Sequence, residues 1–246
     1  MKPKSSLAVA ALACLLAVTA RASSFTLNLD RVFPSFQAAA PSSLVQPWLT
    51  ATFTDNGTDD VLLTMTALNL TTNTARPTAH INPVDTAVPR RENVVDWWFN
   101  INPSLSAGAA KLSIAFSVGV GASINQSVDD GIHPGSDGFY DFAFVFAPST
   151  FTDGLSSVYE LKGLGQVIHA SDFVGFFSSP DNKGIGVQNG TYESAANIQD
   201  TMRNNAKGPI FDNAVIGAVP EPATWLLVGS MFVLPVLIRF SRRRKQ

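Results

Sequence analysis

The chain has 246 residues, 46% of them hydrophobic, with a formal net charge of −2 and a single cysteine. Eight of its 17 bases lie near the two ends (Lys2, Lys4, Arg21, Arg239, Arg242, Arg243, Arg244 and Lys245), and the rest of the chain sets 9 bases against 19 acids, a balance of −10. The length allows one sizeable core, and so acidic a body argues against nucleic acid as a partner and matches an anionic membrane surface poorly.

Met1 to Ala22 reads as a secretory signal. Lys2 and Lys4 precede the apolar run Leu7–Ala17, and Ala20-Arg21-Ala22 before Ser23 fits a small-residue cleavage site, with Val18-Thr19-Ala20 as the second choice. Export through the Sec translocon and cleavage by signal peptidase are expected. Cys14 could instead be the acylated residue of a lipoprotein signal, but Ala11-Leu12-Ala13 lacks the bulky residue expected three positions earlier. With Cys14 removed, the mature chain holds no disulfide and must rely on its core.

Residues 23–213 read as one all-β domain, a single β-sandwich or jelly roll, because short Val-, Thr- and Phe-rich segments alternate with Gly, Pro, Asn and Asp. Phe25–Leu29 is a first strand. Trp48–Thr54 and Val61–Leu70 form a hairpin around Asn56-Gly57. Residues 71–93 carry Pro77, Pro83, Pro89 and Arg90-Arg91 and read as an irregular surface connection. Strands follow at Val94–Asn102 and Lys111–Val120. In Phe139–Phe146, Tyr140, Phe142, Phe144 and Phe146 share one face, opposite Phe139, Asp141, Ala143 and Val145. Ser156–Leu161 and Asp172–Phe177 are further strands, and Tyr192–Gln199 fits a strand or a short helix. Residues 203–213 lead as a linker into Ala214-Val215-Ile216-Gly217, and 214–218 is taken as the linker between the body and the C-terminal segment.

Chemistry-bearing residues are few. Asp129, Asp130, Asp137 and Asp141, with His133 among them, suit either a calcium loop or a solvated turn that satisfies its own backbone. His80, His133 and His169 are scattered, and no nucleophile elbow, P-loop or dinucleotide fingerprint occurs. Trp97 and Trp98 are adjacent and point to opposite faces of a strand, so one of them could stack on a sugar such as an exopolysaccharide.

The C-terminal segment carries the most specific pattern. Val219-Pro220-Glu221-Pro222 precedes Ala223–Ile238, 16 residues without a charge, and then Arg239, Arg242, Arg243, Arg244 and Lys245. As a helix the uncharged stretch spans ~24 Å, short of the ~30 Å hydrocarbon core unless Trp225 and the flanking arginines extend it. The basic tail places this end in the cytoplasm and the body outside. This order resembles the PEP-CTERM sorting signal, with Val219–Thr224 standing where that family has V-P-E-P-A-T. The resemblance implies a transmembrane intermediate in the inner membrane. It also implies recognition near Pro220-Glu221-Pro222 by an exosortase-type transpeptidase, and delivery of a non-enzymatic body to the envelope or matrix. Trp98–Pro103, Asp137–Phe142, Ser157–Leu161 and Ser194–Gln199 are similar to a β-rich body recurrent among such proteins. In that type the last segment more often reads S-A-A-H-V-Q-G-I, and here Asn197 and Asp200 replace its His and Gly.

Overall fold

The computed structural model describes residues 23–33, 40–57, 59–75, 88–105, 112–127, 140–176, 192–205 and 208–218. The signal segment, Asp129, Asp130, His133, Asp137 and everything from Val219 onward lie outside these residues. The described chain is all-β. Its strands are β1 (Ser24–Val32), β2 (Leu49–Asn56), β3 (Asp60–Ala67), β4 (Thr72–Ala75), β5 (Val88–Arg91), β6 (Asn93–Phe99) and β7 (Leu112–Gly119). They continue as β8 (Ala122–Gln126), β9 (Phe142–Phe146), β10 (Phe151–Thr152), β11 (Ser156–Gly163), β12 (Ser194–Asn205) and β13 (Gly208–Ala218). One 3-10 turn, η1 (Ala170–Phe173), lies between β11 and β12.

Hydrogen bonding joins the strands in the order β7-β11-β3-β2-β1-β13-β12-β6-β9-β8, with β10 added to β6. Neighbours in this path are antiparallel throughout. The first and last strands of the path, β7 and β8, are consecutive in sequence and joined by Val120-Gly121, so the sheet curls until it nearly closes on itself. Side chains of β11 hold that turn: the Tyr159 hydroxyl accepts from Ala122 N at 2.8 Å, and Ser157 Oγ donates to the Val120 carbonyl. Gly119 makes the turn possible. Its φ is +102°, and a Cβ there would stand 2.1 Å from the Ser156 carbonyl oxygen.

The inside of the curl is packed with aromatic rings. Phe173 of η1 stacks on Phe53 at 4.7 Å and meets Phe142 edge-on. Contacts run on through Phe99 and Trp97 to Phe151, which packs 4.5 Å from Phe146. Each such pair contributes about 0.5–1.5 kcal/mol beyond the area it buries. A second, smaller cluster of Phe33, Trp98, Tyr140, Ala143, Tyr192, Ala195 and Val215 packs apart from this core.

The β2–β3 hairpin forms as expected, with Asn56 opposite Asp60 and Gly57 at φ +83°. Tyr192–Gln199 resolves as strand from Ser194 onward. Four expectations need correction. Residues 71–93 are not wholly irregular: β4 and β5 pair as a ribbon, and Glu92 and Asn93 are buried. Asp172–Phe176, the described part of the stretch 172–177, is not a strand, because the Asp172 carboxylate caps the turn of η1 by accepting from His169 N. Tyr140 does not share a face with Phe142, because the chain bends at Asp141 before β9 begins. Residues 203–218 are not a linker. They belong to a hairpin closing at Asn205 and Gly208, and its second strand, β13, is flanked by β1 and β12 with 214–218 buried.

Gly119→Ala is expected to lower stability by about 3 kcal/mol, since both the backbone angle and the neighbouring carbonyl oppose a side chain. Gly121→Ala, where a Cβ meets nothing within 4 Å, is expected to change little. Denaturant unfolding of the two variants checks the pair, and equal midpoints would refute this account of the turn.

Candidate functional site

Because neighbouring strands alternate in direction, one end of the curled sheet collects a defined set of termini and loops. Ser24 starts β1 there, Asn56 faces Asp60, Gly163 faces Leu112, Gln126 faces Phe142, and Ser194 pairs with both Phe99 and Ala218. Both ends of the described body therefore lie on this rim. The residues bounding the segment with Asp129, Asp130 and Asp137 lie there too, at Ser127 and Tyr140.

The carboxylates of this rim act on backbone. Asp55 Oδ2 accepts from Ser23 N at 3.1 Å while Asp55 Oδ1 accepts from Ala170 N at 2.6 Å, tying the start of the body to η1. Asp141 is buried, and its Oδ2 accepts from Ile101 N at 2.8 Å. Asp172 Oδ1 accepts from the Asn102 amide at 3.2 Å. Glu193 Oε1 accepts from Gly175 N at 2.6 Å, and Glu193 N donates to the Ala218 carbonyl at 3.0 Å. A carboxylate that takes up backbone N–H groups in this way organises loops, and for the buried Ile101 N it supplies a partner that water could not. Of the four aspartates considered for calcium, Asp141 is the one described, and it clasps the backbone after β6. Among the described residues no group of three or more His, Cys, Asp or Glu is placed to hold a metal ion.

The indoles are placed by the core. Trp97 is 0% exposed and donates from Nε1 to Ser194 Oγ at 2.9 Å; Trp98 is 7% exposed beside Tyr140 in the second cluster. The two do point to opposite faces, but each face is covered, so the expectation of an exposed ring for sugar stacking is corrected. Trp48 is buried as well, with its Nε1 donating to the Ser43 carbonyl.

Two polar groups escaped the sequence reading. Glu92 is fully buried and accepts from Ser42 N, Thr71 N and the Asn73 amide at 2.8–3.0 Å. Asp200, at φ +61°, sits where β12 shifts register and accepts from Arg90 and Asn93. A lone acid after Arg90-Arg91 was the only local hint of the first. The second pairing is Asp96 with Asn197, directly opposite in β6 and β12, 3.4 Å from amide nitrogen to carboxylate. Burial raises the Asp96 pKa above the usual carboxylate value, and the Asn197 bond offsets part of that rise.

Among the described residues no helix is long and apolar enough to cross a membrane. Comparison with protein-family models, with curated proteins and with solved structures gives no match.

Burial also raises the Glu193 pKa above its ordinary 4.5, with the Gly175 bond opposing. A carboxyl raised in this way keeps its proton in the folded state after the unfolded chain has lost it. Its favourable contribution is complete below the unfolded value and is lost as pH rises through the folded one. Glu193→Gln, which keeps an oxygen for Gly175 N, is expected to flatten the decline of stability over that window. Denaturant midpoints at stepped pH measure this, and parallel curves for the two proteins would refute it.

Proposed function

We propose that this chain is an exported, non-enzymatic envelope or extracellular-matrix protein, anchored and then sorted through its C-terminal segment. The observation that carries this reading is the order of Val219-Pro220-Glu221-Pro222, the uncharged run Ala223–Ile238 and the basic residues Arg239 to Lys245. The body supports it in two ways. Ser23 and Ala218, the two ends of the described chain, lie on one rim, so a signal before the first and a membrane segment after the second can share one bilayer. Cleavage after Ala22 would also turn Ser23 N into an ammonium group 3.1 Å from the Asp55 carboxylate, a partner suited to the new charge. In this reading the partners are the Sec translocon, signal peptidase and an exosortase-type transpeptidase, with the inner membrane as a way station. The body is read as a sandwich or jelly roll whose two faces part between β7 and β8. An exopolysaccharide-binding module is the alternative, and it would need a contact surface other than Trp97 and Trp98.

Intact-mass measurement of the protein from its native host tests the reading. The surface-located form is expected to begin at about Ser23 and to lack everything beyond about Pro222. Recovery of that form with Arg242 to Lys245 still attached would overturn it.

A further inference from the structure

The proposed sorting segment begins directly after β13. Ala218, the last residue of β13, pairs with Leu29 and Ser194 and accepts from Glu193 N, so it is fixed on both sides. Pro220 and Pro222 have no N–H to extend the ladder. From Ala218 to Ala223, the start of the uncharged run, there are five residue steps, which reach at most about 17 Å when fully extended.

That reach is already taken up by the body. β1 continues from Leu29 to Ser24, five residues past the level of Ala218, or roughly 17 Å at the rise of a strand. The β2–β3 turn stands alongside that extension, since Ser24 pairs with Thr54 two residues before Asn56. We infer that, while the chain is membrane-anchored, the start of β1 and the β2–β3 turn rest on the headgroup layer of the bilayer, with no slack between body and membrane. This inference rests on the anchoring reading given above.

The charge of the turn bears on which surface it meets. Asp59 is exposed at this end and Asp60 is held by Lys162 at 2.9 Å, while Asp55 is turned onto Ser23 N and Ala170 N. An anionic headgroup layer would repel this turn within a Debye length of about 8 Å at physiological salt. A zwitterionic layer presents ammonium groups that such carboxylates can approach. The anchor therefore holds an acidic edge at a surface it would not seek by itself, and cutting near Pro220-Glu221-Pro222 frees it. The enzyme that cuts must work within the same narrow gap.

The test uses the full chain in vesicles of phosphatidylethanolamine and phosphatidylglycerol carrying a headgroup spin label. A fluorophore is placed at Asn56→Cys on the proposed contact, or at Pro148→Cys at the opposite end of the sheet, with Cys14→Ser in both. Quenching at position 56 is expected to exceed that at 148 several-fold. Inserting about ten Gly and Ser residues after Ala218, which adds a flexible reach of roughly 17 Å, is expected to abolish most of the difference. Equal quenching at the two positions in a chain that stays with the vesicles through an alkaline wash would overturn this inference alone. Loss of the chain from the vesicles in that wash would overturn the anchoring reading beneath it.

Discussion

The structure depends on the curl that brings β7 back beside β8. An open sheet of this width would set its two edge strands far apart, each a template for association with other chains, and the curl brings both to one seam. Here its first and last strands are joined by two residues, and β11 pins the junction with Tyr159 and Ser157. Closure is not complete. Among the described residues no ladder joins β7 to β8, and Phe116 and Val118 of β7 are 50% and 61% exposed. The interior compensates with rings instead of crosslinks. The described residues hold no cysteine, so their stability comes from aromatic packing that reaches from η1 to β10.

The same curl fixes where polar residues can serve. Ten strands of alternating direction send five pairs of ends to each rim, so residues distant in sequence become neighbours without touching the core. Asp55 closes β2, Asp141 precedes β9, and Asp172 and Glu193 lie in the connection from β11 to β12, yet each is committed to a backbone N–H. A general acid or base needs a free oxygen at the reacting atom, and a hard-cation site needs several converging on one point. These carboxylates are instead dispersed, each on its own backbone donor, which suits a body whose loops must hold shape without disulfides. Glu92 does the same at the far end of the sheet, gathering Ser42, Thr71 and Asn73.

Much of the sheet was legible in the sequence because its signals are local. Asn56-Gly57 specifies a tight turn by backbone angle, and Phe142, Phe144 and Phe146 specify one buried face by spacing two. The errors have a common cause. Asn, Lys, Gly and Pro in 203–213 mark a turn as well as they mark a linker, and only the pairing of β13 with β1, nearly 200 residues earlier, distinguishes them. Tyr140 was assigned to the Phe142 face because alternation says nothing of where a strand begins. Glu92 and Asp200 gave no warning, since the donors that satisfy them come from segments far away in sequence. The indoles were misjudged for a related reason: period two predicts that Trp97 and Trp98 diverge, and they do, but it cannot reveal that Tyr140 and Tyr192 cover the second face.

The revised boundary at Ala218 alters the meaning of the Pro-Glu-Pro segment more than any other finding. As the end of a linker it would have been one more mobile stretch, accessible to any enzyme at leisure. Instead it follows directly on an interior strand, and its two prolines have no N–H to offer a ladder. With neither Pro220 nor Pro222 able to donate, the residues that follow β13 are poorly suited to extend it along the flank of β1. A sequence such as Val-Thr-Val in the same place would extend β13 along that flank and hide the segment in the sheet. Keeping it out of the ladder is a condition for any partner that has to bind it in extended form.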